Sequence, residues 1–123
     1  KMKKSRLADF LAEYLYKVGV KNVFMLSGTG SIHLDDAFAH QEGMNYICAR
    51  HEAAAAMMAV ASAKLNGKIG VVIATTGPGG TNAIGGVAEA WVDSAPILVI
   101  PLPFNASINI ESKLLVPPIT SGI

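Results

Sequence analysis

The chain has 123 residues, 51% of them hydrophobic and 15% charged, with a formal net charge of +1. Soluble domains average about 25% charged residues, so disorder is excluded and one domain with an apolar surface is expected. The balanced charge supplies no basic face for nucleic acid, and the longest uncharged apolar run, Ala95 to Phe104, is ten residues, half of the about 20 that a membrane-spanning helix needs.

Lys1, Lys3, Lys4 and Arg6 have the charge of a signal-peptide n-region, but Asp9, Glu13 and Lys17 interrupt the apolar segment that should follow, which predicts a cytoplasmic chain. Ser5 is the expected cap of a first helix, whose apolar positions Leu7, Phe10, Leu11, Tyr14, Leu15 and Val18 recur at three- and four-residue steps up to Gly19. Val20 to Met25 reads as a short buried strand and Leu26 to Ser31 as a turn. Ile32, Leu34, Ala37 and Phe38 then have the spacing of a short helix. A second strand, Asn45 to Ala49, leads through Arg50-His51-Glu52 into a helix from Ala53 to Leu65, which Asn66-Gly67 ends by supplying a left-handed cap. Ile69 to Thr75 is the clearest strand and runs into Thr76-Gly-Pro-Gly-Gly80. Thr81 or Asn82 starts the next helix, and Pro96 to Ile100 makes a fourth strand.

Helix and strand thus alternate with short connections, the pattern of an α/β domain with α/β/α layers and a mainly parallel sheet. The expected spatial order is 2-1-3-4, with Glu52 and Gly77 to Gly79 at one edge. The pattern fails beyond Pro101, so the domain is assigned to residues 1–103 and a proline-containing tail, 104–123, is left without an element.

Charge is unevenly spread. Six of the ten basic residues fall within the first 21 positions, whereas Ile69 to Ile110 contain only Glu89 and Asp93. Buried parallel strands explain part of this, but the helix around Ala83 to Trp91 also has hardly any polar face. Such a surface predicts a partner, or the remainder of a longer chain. The lone Cys48 cannot form an internal disulfide and is expected to be a small buried core residue.

Gly77-Pro-Gly-Gly80 lies between a strand and a helix, where backbone amides can receive an anion. It lacks the lysine of a P-loop, and Asn82 stands where a dinucleotide fingerprint needs its third glycine; Gly28-Thr-Gly30 fails likewise at His33. A purely structural turn is the simpler reading of either loop. No G-x-S-x-G elbow occurs, and His33, His40 and His51 lack metal-ligand spacing, so no metal site is assigned. Glu52 fits the first turn of a helix, where the dipole favours negative charge. It also follows the second strand at the carboxyl edge of the sheet, which is where Gly77-Pro-Gly79 leaves and where open α/β sheets bind ligands.

Three segments carry a resemblance: Arg50-His-Glu-Ala-Ala-Ala-Ala56, Gly67-Lys-Ile-Gly-Val-Val-Ile-Ala-Thr-Thr-Gly-Pro-Gly-Gly-Thr-Asn82 and Ala90-Trp-Val-Asp-Ser-Ala-Pro96. In order and spacing they resemble the pyrimidine-binding domain of thiamine-diphosphate enzymes of the acetolactate synthase type, over about residues 5–100. The resemblance implies the thiamine-diphosphate-binding fold. Val23-Phe24 and the glycine turn after them match the family's first cofactor loop, although Leu26-Ser27 replace the commoner Tyr-Pro. Pro101-Leu-Pro-Phe104 departs from the Ser/Thr-Gly-Gln segment of relatives, so the substrate-side residues contributed there do not transfer.

In such enzymes the glutamate matching Glu52 hydrogen-bonds N1′ of the cofactor's aminopyrimidine and exchanges a proton there. A carboxyl taken out of water can hold that proton nearer neutrality. By the same resemblance the backbone of Gly28 and Thr29, and of Gly77, Pro78 and Gly79, flanks the pyrimidine, with Asn82 nearby. Asp93 and Ser94 match helix-ending positions, and Met57, Met58 and Trp91 are expected in packing or an interface. The implied function is a carboligase or decarboxylase acting on an α-keto acid with thiamine diphosphate. Mg2+ would be held by a diphosphate-binding domain of the same or another chain, since its Gly-Asp-Gly signature does not occur here. The resemblance also implies a homo-oligomer and is compatible with FAD, on which no residue of this segment reports. Two alternatives stay open: one subunit of a split decarboxylase, and a non-catalytic interaction module that keeps the fold.

Overall fold

Helical apolar spacing and runs of β-branched residues produce, in chain order, α1 (Leu7–Lys17), β1 (Asn22–Met25), α2 (Ile32–His40), β2 (Asn45–Cys48), α3 (Glu52–Asn66), β3 (Gly70–Thr75), α4 (Pro78–Asn82), α5 (Ile84–Val92) and β4 (Ile97–Leu102). The computed structural model describes residues 6–102. Among them the sheet has four strands in the order β2-β1-β3-β4, each neighbouring pair parallel, which is the order expected from the sequence.

Register turns the period of two into layers. The row Val23-Val71-Leu98 and the row Met25-Ile73-Ile100 pack with Ala12 and Leu15 of α1 and Leu34, Ala37 and Phe38 of α2. Between these rows, Phe24 and Val72 point the other way, with Ala55, Ala56, Ala59 and Val60 of α3 and Ala90 of α5. Helices therefore cover both faces. Phe38, Met25, Ile73 and Val23 are fully buried, and each such side chain contributes about 1.5–3 kcal/mol through removal from water.

Small residues set the spacing on the α3 side. A Cβ on Gly70 would lie 2.2 Å from the Ala59 carbonyl oxygen, and one on Gly86 would lie 2.2 Å from Ala56 Cβ. The alanine run of α3 thus brings its backbone close to β3 and α5. Gly67, at φ +61°, ends α3 in the left-handed conformation that glycine adopts without strain.

Several boundaries differ from the sequence expectation. The cap of α1 falls at Arg6; Ser5 lies outside the described residues, as does the tail 104–123. The helix expected from Thr81 or Asn82 begins at Pro78, because proline's fixed φ and missing N–H suit the first helical position, and it is interrupted at Ala83 before α5. β4 continues through Pro101 to Leu102. It lies at one side of the described sheet, where a strand tolerates a residue with no N–H to donate. Cys48 is exposed rather than buried, since β2 is the strand at the opposite side of the described sheet and pairs only with β1, leaving its other edge uncovered by a strand. Asp93 ends α5 and pairs with Lys64 of α3, and Ser94 turns the chain at φ +51°.

The close approach of α3 and α5 makes a paired prediction. Gly86→Ala should lower stability by about 1–3 kcal/mol through overpacking. Gly85→Ala, whose Cβ would meet nothing within 4 Å, should raise it by up to about 1 kcal/mol through helix propensity. Urea unfolding of both variants checks this, and equal effects would remove the packing account.

Candidate functional site at the carboxyl edge of the sheet

All the described strands are parallel, so their carboxyl ends share one edge. The chain leaves β1 toward β2 on one side and leaves β3 toward β4 on the other, which makes the β1–β3 boundary the switch point where a crevice opens. Two glycine-containing turns emerge there. Leu26 N–H, just past β1, still donates to the Ile73 carbonyl of β3 at 3.4 Å. The following backbone then passes Thr75 so closely that a Cβ on Gly28 would lie 2.3 Å from Thr75 Cγ2. From the other side, a Cβ on Gly79 would lie 2.5 Å from Thr75 Oγ1 and 3.1 Å from Glu52 Oε1.

Glu52 reaches this point as the first residue of α3. His51 precedes it in extended conformation, and its Nδ1 accepts from Ala53 N–H at 3.1 Å, satisfying one of the donors that a helix start leaves free. The carboxylate benefits from the helix dipole, yet it is turned inward and only 6% exposed. Asn82 Nδ2 donates to Glu52 Oε2 at 3.1 Å, leaving Oε1 beside Gly79. A buried carboxylate thus has one oxygen held by an amide and the other against backbone without a side chain. That arrangement can present a proton-exchanging group to a flat, nitrogen-bearing ring.

The structure therefore brings together Glu52, Asn82, Gly79 and, through Thr75, Gly28. Gly77 and Pro78 lie at the mouth of the same turn: Gly77 takes φ +72° and a Cβ there would meet nothing within 4 Å, while Pro78 opens α4. Thr29 is exposed on the first turn. His33 and His40 are exposed on α2. Among the described residues no group of three or more His, Cys, Asp or Glu could hold a metal ion, and no helix is long and apolar enough to cross a membrane. A cleft of about 390 Å³, lined in part by Lys21, Asn22, Ser62, Asn66 and Lys68, lies at the amino edge of the strands. It is far from the convergent loops and has no buried polar side chain among these residues.

Sequence reasoning missed three residues. Thr75 reads as the end of an apolar strand, but it is the side chain that both glycine turns enclose; a lone polar residue closing such a run was the available signal. Ser31 and Asp35 read, in sequence, as ordinary turn and helix residues. Ser31 is fully buried and Asp35 is 9% exposed, and their contacts run back to Gly28.

A buried carboxylate opening a crossover helix, facing glycine backbone at the switch point, defines a ligand-binding α/β domain. Comparison with known families gives it a narrower place: residues 5–106 match the thiamine pyrophosphate enzyme N-terminal TPP binding domain, and the chain belongs to that family. It is 42% identical over 92 residues to the acetolactate synthase large subunit of Lactococcus lactis, covering 75% of this chain and 16% of that protein. Identity to the acetolactate synthase isozyme 3 large subunit of Escherichia coli is 41% over 93 residues, 76% of this chain and 16% of the relative. For the chloroplastic acetolactate synthase of Arabidopsis thaliana it is 38% over 93 residues, 76% and 14%. The chain thus spans about one-sixth of the length of the curated relatives it matches.

The enclosure of Thr75 can be tested without a ligand. Gly28→Ala should destabilise the domain, because the new methyl meets Thr75 Cγ2. Adding Thr75→Ser removes that atom and leaves the next contact at 3.6 Å. A double-mutant cycle by urea unfolding should return a coupling of about 0.5–3 kcal/mol. An unchanged cost of Gly28→Ala in the serine background would show that the loops do not meet there.

Proposed function

We propose that this chain is the pyrimidine-binding part of a thiamine-diphosphate-dependent, acetolactate synthase-like carboligase or decarboxylase acting on an α-keto acid. The observation that carries the reading is the Asn82–Glu52–Gly79 contact. The residues fit the pyrimidine half of the cofactor: one buried carboxylate for a ring nitrogen, and backbone at Gly28 and Gly79 where side chains would block a flat ring. Gly77 and Pro78 shape the second turn, and Thr29 the first. When bound, thiamine diphosphate supplies an electron sink for cleaving the bond beside the keto group. Glu52 is the group that holds and moves the proton at N1′. Asn82, by donating to one carboxylate oxygen, fixes the rotamer that leaves the other for the ring. Mg2+ and the diphosphate would be held by a diphosphate-binding domain of the same or another chain, and the 123 residues alone are expected to be inactive.

That partner has a surface to meet. Met57 and Met58 on α3 and Ile84, Trp91 and Val92 on α5 are 38–79% exposed, a concentration of large apolar side chains that is uncommon on a free surface. A second copy or a diphosphate-binding domain covers it in this reading. Sedimentation over a concentration series should show self-association that Trp91→Glu weakens; a monomer at every concentration would remove the homo-oligomer from the proposal.

The catalytic assignment is tested by Glu52→Gln in the domain paired with a matching diphosphate-binding domain. The amide is nearly isosteric and still accepts from Asn82, so thermal stability should hold. It cannot exchange the N1′ proton, and hydrogen–deuterium exchange at cofactor C2 should slow by about 100- to 10,000-fold. Equal exchange rates would reduce Glu52 to a helix-terminus carboxylate.

A further inference from the structure

Ser31 stands at the cap position of α2, yet its hydroxyl makes no capping bond. It is committed elsewhere. Ser31 Oγ lies 3.3 Å from Gly28 N, 3.1 Å from Gly28 O and 2.9 Å from Asp35 Oδ2. Gly28 N–H donates to it, but the other two neighbours are oxygens and the hydroxyl has one hydrogen. If Asp35 is ionised, that hydrogen can serve either the carboxylate or the Gly28 carbonyl. Both contacts are made only when Asp35 Oδ2 carries a proton and donates it to Ser31 Oγ, freeing the serine hydrogen for Gly28 O. The other carboxyl oxygen leads to the same state: Oδ1 is sealed from solvent with no hydrogen-bond partner, which is far more costly for a carboxylate than for a neutral acid.

We propose that Asp35 is a proton-carrying positioning residue, whose carboxyl hydrogen completes the Asp35–Ser31–Gly28 bonds and so latches the first glycine turn against Thr75. Ionisation takes the serine hydrogen away from the Gly28 carbonyl, leaving it only the Ser31 N–H bond at 3.0 Å, and loosens the turn. The significance of this for the cofactor rests on the function proposed above, which gives the turn its contact with the pyrimidine; the latch itself does not.

Burial pushes the Asp35 carboxyl above the ordinary aspartate range, opposed by the Ser31 and Gly28 bonds. The groups facing it are few. From β2 it meets Tyr46, whose hydroxyl burial pushes up to about 12, with Cys48 and Asp35 as further causes. On the solvent side of α2 and α1, Arg6 pairs with Asp36 and Asp9 and holds both carboxyls below their usual range, while His40 pairs with Asp36. The signs are therefore opposite. Asp35 favours the fold in acid and loses that contribution as pH rises through its native titration, whereas Asp9 and Asp36 contribute above their titration and lose it as pH falls.

The experiment is a carbon-detected NMR titration of the side-chain carboxyls of the chain without cofactor, with the Gly28 amide followed in parallel. Asp35 should titrate above the ordinary aspartate range, and so above Asp9 and Asp36, and the Gly28 amide should shift with the Asp35 midpoint. In Asp35→Asn the side-chain amide donates to Ser31 at all pH values, so the Gly28 transition should vanish. An Asp35 midpoint within or below the ordinary aspartate range would overturn the proposal, and so would a Gly28 transition that persists in Asp35→Asn. The midpoint comparison needs only the unaltered chain, so it decides the matter even if the variant does not fold. Thiamine diphosphate affinity of the domain paired with a diphosphate-binding domain, measured across the same transition, should weaken as Asp35 ionises. If the titration couples to Gly28 and affinity stays flat, the latch stands and the cofactor role of the turn falls.

Discussion

The side chain of Thr75 is the contact on which the carboxyl edge of the sheet depends. Its methyl occupies the space where a side chain at position 28 would begin, and its hydroxyl the space where one at position 79 would begin. Two backbones can close on one residue in this way only as glycine. Because β1 and β3 are adjacent while their connections run to opposite sides, no other strand end could receive both turns. From that clamp follows the delivery of Gly79 to Glu52, and with it the short reach of Asn82, three residues further along α4.

A second constraint acts from behind the site. Glu52 opens α3, so its position is that of the whole helix, and α3 is held by backbone proximity rather than by large interlocking side chains. Gly70 lies under Ala59, Gly86 lies against Ala56, and the pair Lys64–Asp93 ties the far end of α3 to the end of α5. The alanine run gives the helix almost no amphipathic contrast, yet Ala55, Ala56, Ala59 and Ala63 are buried to within a few per cent. Their value lies in the distance they permit, since a thin layer between helix and sheet lets a first-turn carboxylate reach the edge at all.

Much of this was legible in the residues. Periodicity located the helices, the run from Ile69 to Thr75 announced a strand covered on both faces, and alternation with short links implied the order that the sheet adopts. Glu52 and the glycine turns could be placed at one edge because each follows a strand end. The failures share a cause, which is that neighbours in space are silent in a linear reading. Pro78 reads as loop although it starts α4, and Cys48 reads as a core residue because nothing local marks β2 as an outer strand. Ser31 and Asp35 look like the cap and first-turn acid of any short helix. Only the folded chain shows that the hydroxyl meets the Asp35 carboxyl and the Gly28 backbone instead of capping the helix. Thr75 matters through atoms that residues 28 and 79 lack, and an absent Cβ leaves no pattern except the glycine itself.

The packing of α3 on α5 also bears on mechanical stiffness. Alanine and glycine have no side-chain torsions with which to absorb a displacement, so the Ala56–Gly86 contact behaves as a rigid joint. Trp91, 65% exposed on α5, and Glu52, at the start of a 15-residue helix about 22 Å long, are therefore carried on one stiff body. Pressure on the apolar outer face would reach the buried carboxylate as a movement of the helix, with little compliance lost between them.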